Sequence, residues 1–241
     1  MAQPSDEEKK QSVGQCAYGL VTLFGTAAFI CGMSANAYCD FASREVEFVE
    51  GFDLAAACAD LNLTGTQEQI CNTIFTDHGV GFYAWYGTVP VDQQVCLSYT
   101  LWYPNVGYVT PEFDTKFNSA RAFSITANVL GAFAWFTLMM SSCCPITQEC
   151  FEGLGFYFFT ACLFQGLSLL IFKSDICEPS FFAQYFPNED LDEIISGVTC
   201  ALGRGSKFAI SATVLYFVTI FLIPIAIAPP PIGNSRAAPV D

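Results

Sequence analysis

Residues 122–142 read AFSITANVLGAFAWFTLMMSS, 21 positions without Asp, Glu, Lys or Arg. At about 1.5 Å per residue, a helix of that length reaches the roughly 30 Å of a bilayer's hydrocarbon core. Lipid offers the backbone no hydrogen-bond partner, so such a segment is expected to cross as a helix with its amides bonded internally. Three further runs have the same character: 13–34, 153–172 and 208–228. With 53% hydrophobic and 13% charged residues, the composition is that of an integral membrane protein rather than a soluble domain. The expected fold class is membrane all-α, a four-transmembrane-helix bundle forming one tetraspan domain over residues 1–241.

Four crossings put both termini on one side. They leave a long loop at 35–119, a tight turn at 143–150 and a medium loop at 173–207. Lys9, Lys10 and Arg236 lie on one side of the spans and Arg121, Lys173, Arg204 and Lys207 on the other, so the Lys/Arg bias does not orient the chain. Cysteine placement does. Cys39, Cys58, Cys71 and Cys96 fall in the long loop and Cys177 and Cys200 in the medium one, an even set suited to an oxidising compartment. These loops are therefore expected outside or in a lumen, with both termini cytoplasmic and the plasma membrane as the site. An N-glycosylation sequon at Asn62 agrees. No apolar run precedes residue 13, so the first span is expected to act as its own signal anchor.

The net charge of −14 collects on the loops, with eleven acidic residues between Asp40 and Asp114 and six between Asp175 and Glu193. Such a face disfavours nucleic acid and anionic lipid and attracts cations. The carboxylates at 188–193 lack the glycine and terminal Glu of an EF-hand loop and read as a solvated helix start.

In the long loop, residues 44–49 alternate as a half-buried strand does, while 51–62 and 66–75 read as short helices that would bring Cys58 beside Cys71. Residues 80–89 and 95–103 are rich in Val, Tyr, Phe and Trp and flank a turn at 90–94, a hairpin pattern, and 106–110 adds a short strand. The expectation is a small antiparallel sheet built from the first outer loop. A lone hairpin is marginal, so disulfides are needed to hold it.

Within the spans polar residues are few. Asn128 lies seven residues past Arg121 and Gln165 seven before Phe172, so antiparallel neighbours would set the two amides at one depth. A hydrogen bond between them, of about 0.6–2 kcal/mol, would fix the pairing of the second and third spans. Small residues along the first span, Gly14, Gly19, Gly25, Ala28 and Gly32, are expected to line an internal packing face. Cys143, Cys144 and Cys150 border the membrane as S-palmitoylation candidates, the alternative being unmodified thiols. Cys177 is expected to bond Cys200. Phe181, Phe182, Tyr185 and Phe186 read as exposed aromatics that anchor at the interface or meet a partner. Pro224 is expected to disturb the last span near its end.

Four spans, a disulfide-pinned sheet in the first outer loop, and a second span opening Ser119-Ala120-Arg121-Ala122 followed by Val129-Leu130-Gly131 together resemble the claudin and peripheral myelin protein superfamily. Claudins carry Gly-Leu-Trp and two cysteines in that loop. The counterpart here is Gly81-Phe82-Tyr83-Ala84-Trp85 with Cys96, in a longer loop, and the resemblance makes Cys39 the available partner of Cys96. It implies a non-enzymatic protein that associates laterally or in trans through its outer loops, binding other membrane proteins or copies of itself.

His78 is the sole histidine and no Ser or Cys has a nucleophile's context, nor is there a phosphate loop, metal motif or haem ligand pair. No enzyme activity, cofactor or metal is expected. The association surfaces would be strands 79–89 and 95–104, with Trp85 and Trp102, and the aromatic second loop. The rivals are a cation-selective channel or transporter subunit and an accessory subunit of a larger membrane complex.

Overall fold

Four helices among the described residues are long and apolar enough to cross a membrane: Lys9–Ala37, Thr115–Met140, Gln148–Lys173 and Arg204–Ile225. The computed structural model describes residues 6–52, 78–89, 93–99, 101–103, 107–109, 111–141, 147–183 and 195–227. In chain order these hold α1 (Asp6–Ala37), β1 (Ala42–Phe48), β2 (His78–Val80), β3 (Ala84–Val89), β4 (Gln93–Ser98), β5 (Leu101–Tyr103) and β6 (Gly107–Val109). There follow α2 (Thr115–Met140), α3 (Gln148–Leu167), α4 (Ser180–Ala183), β7 (Ile195–Leu202) and α5 (Arg204–Leu222).

The helices start and stop where local chemistry dictates. α2 begins ahead of its apolar run because the Asp114 carboxylate caps it, accepting from the Phe117 N–H at 3.0 Å and the Lys116 N–H at 3.2 Å. α5 gives way at Leu222 to a 3-10 turn, Ile223–Ile225, since Pro224 brings no amide to continue the ladder.

By their contacts the residues divide into two units. The helical unit comprises Met1–Met33, Phe123–Leu167 and Ala209–Asp241. Its buried positions recur at steps of three and four: Ala17, Val21, Gly25, Ala28 and Gly32 on α1, Ser124, Ala127, Gly131, Ala134 and Leu138 on α2. Phe151, Leu154, Phe158, Ala161 and Gln165 continue the pattern on α3, and Ala209, Ala212, Tyr216 and Thr219 on α5. That period, 3.5 on average, keeps one seam of each helix against its neighbours. The side chains left exposed are the large apolar ones, including Val129, Phe133, Phe136, Phe156, Phe159, Phe217 and Phe221. Small residues on α1 serve the seam: a methyl added at Gly25 would lie 3.2 Å from Phe158 and 3.3 Å from Leu138. Gly19 differs, being exposed with nothing near it.

The sheet unit comprises Ser34–Ala122 and Ser168–Phe208. Its main sheet has five antiparallel strands in the order β4-β3-β2-β1-β7, and β5 pairs with β6 in a second ribbon. The sequence suggests a sheet from the first loop alone. Instead the second loop supplies β7, which pairs with β1 from Ala42↔Leu202 to Phe48↔Ile195. Each long strand read from the sequence is also broken in two. Gly81 makes the first break, its N–H bonding Ala84 O at 2.9 Å across a tight corner, and an added Cβ there would lie 2.7 Å from the Cys39 Cα. The second break falls after β4, at Tyr99.

Candidate functional site

The strands that the sequence reading makes association surfaces lie in the sheet unit, where the backbones at Asp40–Phe41 and Gly203–Ser206 come together. Asp40 O accepts from Gly205 N–H at 2.7 Å, and Phe41 O from both Gly203 and Ser206 N–H at 3.2 Å. The Asp40 carboxylate takes the Arg204 N–H at 3.4 Å and lies 3.9 Å from the Arg204 guanidinium. The Arg204 side chain is largely solvated, so at 3.9 Å that ion pair adds little. The glycines matter more. A Cβ at Gly205 would sit 2.9 Å from the Phe41 Cα and 3.0 Å from Ala35 O, so only a residue without one lets these backbones approach.

Two disulfides among the described residues close the unit. Cys39, just past α1, bonds Cys96 on β4, 57 residues on, with the Cα atoms 5.7 Å apart. Cys177 bonds Cys200 on β7, 23 residues on, at 5.6 Å. Both strands at the margins of the five-stranded sheet are thus anchored covalently, β4 to the end of α1 and β7 to the start of the second loop.

Aromatic rings fill the interior. Phe41 stands 4.6 Å from Phe82, Phe113 stacks on Phe117 at 4.2 Å, and Tyr99 meets Phe113 edge-on at 4.9 Å. The Tyr99 hydroxyl donates to Gly81 O at 2.7 Å, so the buried phenol is satisfied. Phe181 belongs to this core. It is 1% exposed, its ring 6.2 Å from Phe113, where the sequence reading makes it an exposed anchor. The bridge from Cys177 to Cys200 draws the segment around it into the sheet unit. The Arg44 guanidinium, also fully buried, stands 5.7 Å from the Phe181 ring centroid. A ring face offers a desolvated cation a favourable quadrupole.

Sequence reasoning marks neither Arg44 nor β7. A signal for β7 exists in the β-branched Ile195, Val198 and Thr199 around Cys200. Along β1, Ala42 and Arg44 turn inward while Glu45 and Glu47 are exposed, giving one acidic outward face. Among the described residues no three His, Cys, Asp or Glu side chains group as a metal site.

Of the remaining candidates, Cys58, Cys71, Asn62, Cys143, Cys144, Tyr185 and Phe186 lie outside the described residues, as do the side chains of Phe182, Trp85 and Trp102. The backbone of Trp85 pairs with Val80 and Leu97, and that of Trp102 with Tyr108. Cys150 is an exposed free thiol in the first turn of α3, its N–H bonded to the Thr147 hydroxyl at 3.3 Å.

In the helical unit Asn128 and Gln165 are both buried and both face Gly32: an added Cβ there would lie 2.8 Å from Asn128 Oδ1 and 3.6 Å from Gln165 Oε1. The two amides converge on one point, and Asn128 Oδ1 has no hydrogen-bond partner. Other polar groups of this unit do pair across helices. Tyr18 and Ser141 share a hydrogen bond of 2.6 Å, and the Trp135 ring N–H donates to the Thr26 hydroxyl at 3.1 Å. Comparison with known proteins finds no family model and no curated protein that matches the chain.

Proposed function

We propose that the chain is a multi-pass membrane protein, a four-helix bundle in the bilayer whose disulfide-closed sheet unit associates with other membrane proteins or with copies of itself, as the claudin-like resemblance implies. The observation that carries the membrane half is the apolar surface of the helical unit. Large apolar side chains such as Val129, Phe133, Phe136, Phe156 and Phe217 face outward, while the buried seam takes Ala, Gly, Ser, Asn and Gln beside Phe151, Leu154 and Phe158. Water would penalise that arrangement, whereas lipid, as apolar as leucine, leaves packing and polar contacts to hold helices together.

The association half rests on the sheet unit. Disulfides anchor β4 and β7, and Phe41, Phe82, Phe117 and Phe181 are buried, so the described residues offer outward an acidic β1 face with scattered apolar points at Val49, Tyr83 and Leu202. A rigid surface binds at low ordering cost. Two differently tagged copies expressed in one membrane, solubilised together and captured by one tag, test the reading. Co-capture of the second copy or of a defined membrane protein, lost when Cys39 and Cys96 are both replaced by Ser, is the expected result. Single chains that conduct cations after reconstitution would instead establish the channel reading, and tight recovery within one fixed large complex would establish the accessory-subunit reading.

A further inference from the structure

The centre of the helical unit contains a second polar place that the association reading does not use. Tyr216 on α5 is fully buried, and its hydroxyl has no hydrogen-bond partner. Asn128 on α2 is 8% exposed and its Oδ1 likewise has none. The two oxygens lie near one point: a methyl on Gly32 of α1 would be 2.8 Å from Asn128 Oδ1 and 3.8 Å from Tyr216 Oη, with Gln165 Oε1 of α3 at 3.6 Å. A methyl on Gly131 of α2 would collide with the same Tyr216 hydroxyl. Two glycines on two helices thus clear the space around a hydroxyl and a carboxamide, and the four helices each contribute one wall.

A buried hydroxyl and a buried amide carbonyl left unsatisfied each cost more than one ordinary hydrogen bond contributes. Their chemistry also names what satisfies them. Oδ1 accepts only, and a phenol hydroxyl both donates and accepts, so a molecule that donates to the amide and exchanges one hydrogen bond with the phenol completes both. The oxygens and amide that converge here are neutral, with no carboxylate to compensate a cation in an apolar surround. We propose that this place is a binding site for one water molecule, which bridges Asn128 Oδ1 and Tyr216 Oη beneath Gly32 and ties α2 to α5. Gly131 makes room for the tyrosine hydroxyl itself, and a Cβ at Gly32 would crowd Asn128 Oδ1.

The sign of one substitution separates a bridged from a dry site. In the full chain in detergent, Tyr216→Phe removes a water ligand if the bridge exists, and the folded-to-unfolded ratio falls about tenfold. Asn128→Leu falls similarly, and the double variant falls no further than either single one. A Tyr216→Phe protein as stable as the parent or more so, or effects of the two substitutions that simply add, overturns the proposal. So does a melting temperature that rises with sodium but not with choline, which would mark a cation. The unmodified chain gives an independent readout: a density map that shows ordered waters places one within hydrogen-bond reach of both oxygens, and a map empty there refutes the bridge whatever the variants do.

Discussion

The two units of this chain differ in what they leave exposed. In the sheet unit Phe41, Phe82, Phe117 and Phe181 are inside and Glu45 and Glu47 outside, the order that water imposes. In the helical unit Ala28, Gly32, Ala127, Gly131 and Ala134 are inside and Phe133, Phe136, Phe156 and Phe217 outside. One polypeptide therefore combines a surface suited to water with helices long and apolar enough to cross a membrane. Stability has a different source in each: apolar burial and covalent closure in the first, close backbone approach and sparse polar contacts in the second.

Substitutions of like chemistry should have unlike effects in the two units, and the contrast is largest for phenylalanine in the interior of the sheet unit. Phe82→Ala is expected to destabilise that unit by about 3–5 kcal/mol, read as loss of protease resistance in detergent. A loss below about 1 kcal/mol would show that the aromatic cluster is not a water-type core. Opening the bridge between Cys177 and Cys200 by a double Ser substitution should lower the same readout by roughly 3 kcal/mol, since the closed loop is short. Release of β7 would then expose the β1 edge.

In the helical unit Gly25→Leu should cost about 1–3 kcal/mol in thermal unfolding, because Phe158 and Leu138 already crowd the position. Gly19→Leu, facing outward with open space, is the control and should leave the melting curve within about 0.5 kcal/mol of the parent. The smallest expected effect is the sharpest for the comparison. Phe156→Ala removes an aromatic side chain as Phe82→Ala does, yet should change stability in detergent by less than about 0.5 kcal/mol. A large loss at Phe156 would mean that this face packs against protein in the solubilised chain.

Much of this organisation is legible in the residues, and the remainder fails for identifiable reasons. Uncharged runs of 20 or so residues declare the four long helices, and the alternation at 44–49 declares β1. Boundaries are less legible: α2 starts at Thr115 because Asp114 caps it, a local hydrogen bond that hydropathy does not register. β7 carries the β-branched residues of a strand, but its pairing with β1 joins segments far apart in sequence, and that partnership leaves no mark in a single chain. The same long-range contact hides Phe181, which looks like a loop aromatic until the Cys177–Cys200 bridge and Arg44 are seen around it. In the helical unit Asn128 and Gln165 stand out as rare polar residues, but Tyr216 does not, since a tyrosine in an apolar helix is common enough to pass unnoticed.

Spin labels placed singly along α2, from Ile125 to Met140 in lipid vesicles, measure the solvent of each position most directly. The apolar outer surface of the helical unit predicts that Val129, Phe133 and Phe136 meet dissolved oxygen freely and exclude a water-soluble nickel chelate, while Ala127 and Ala134 are shielded from both. Free collision with the nickel chelate at Val129, Phe133 and Phe136 would contradict it, for it would put water where lipid has to be.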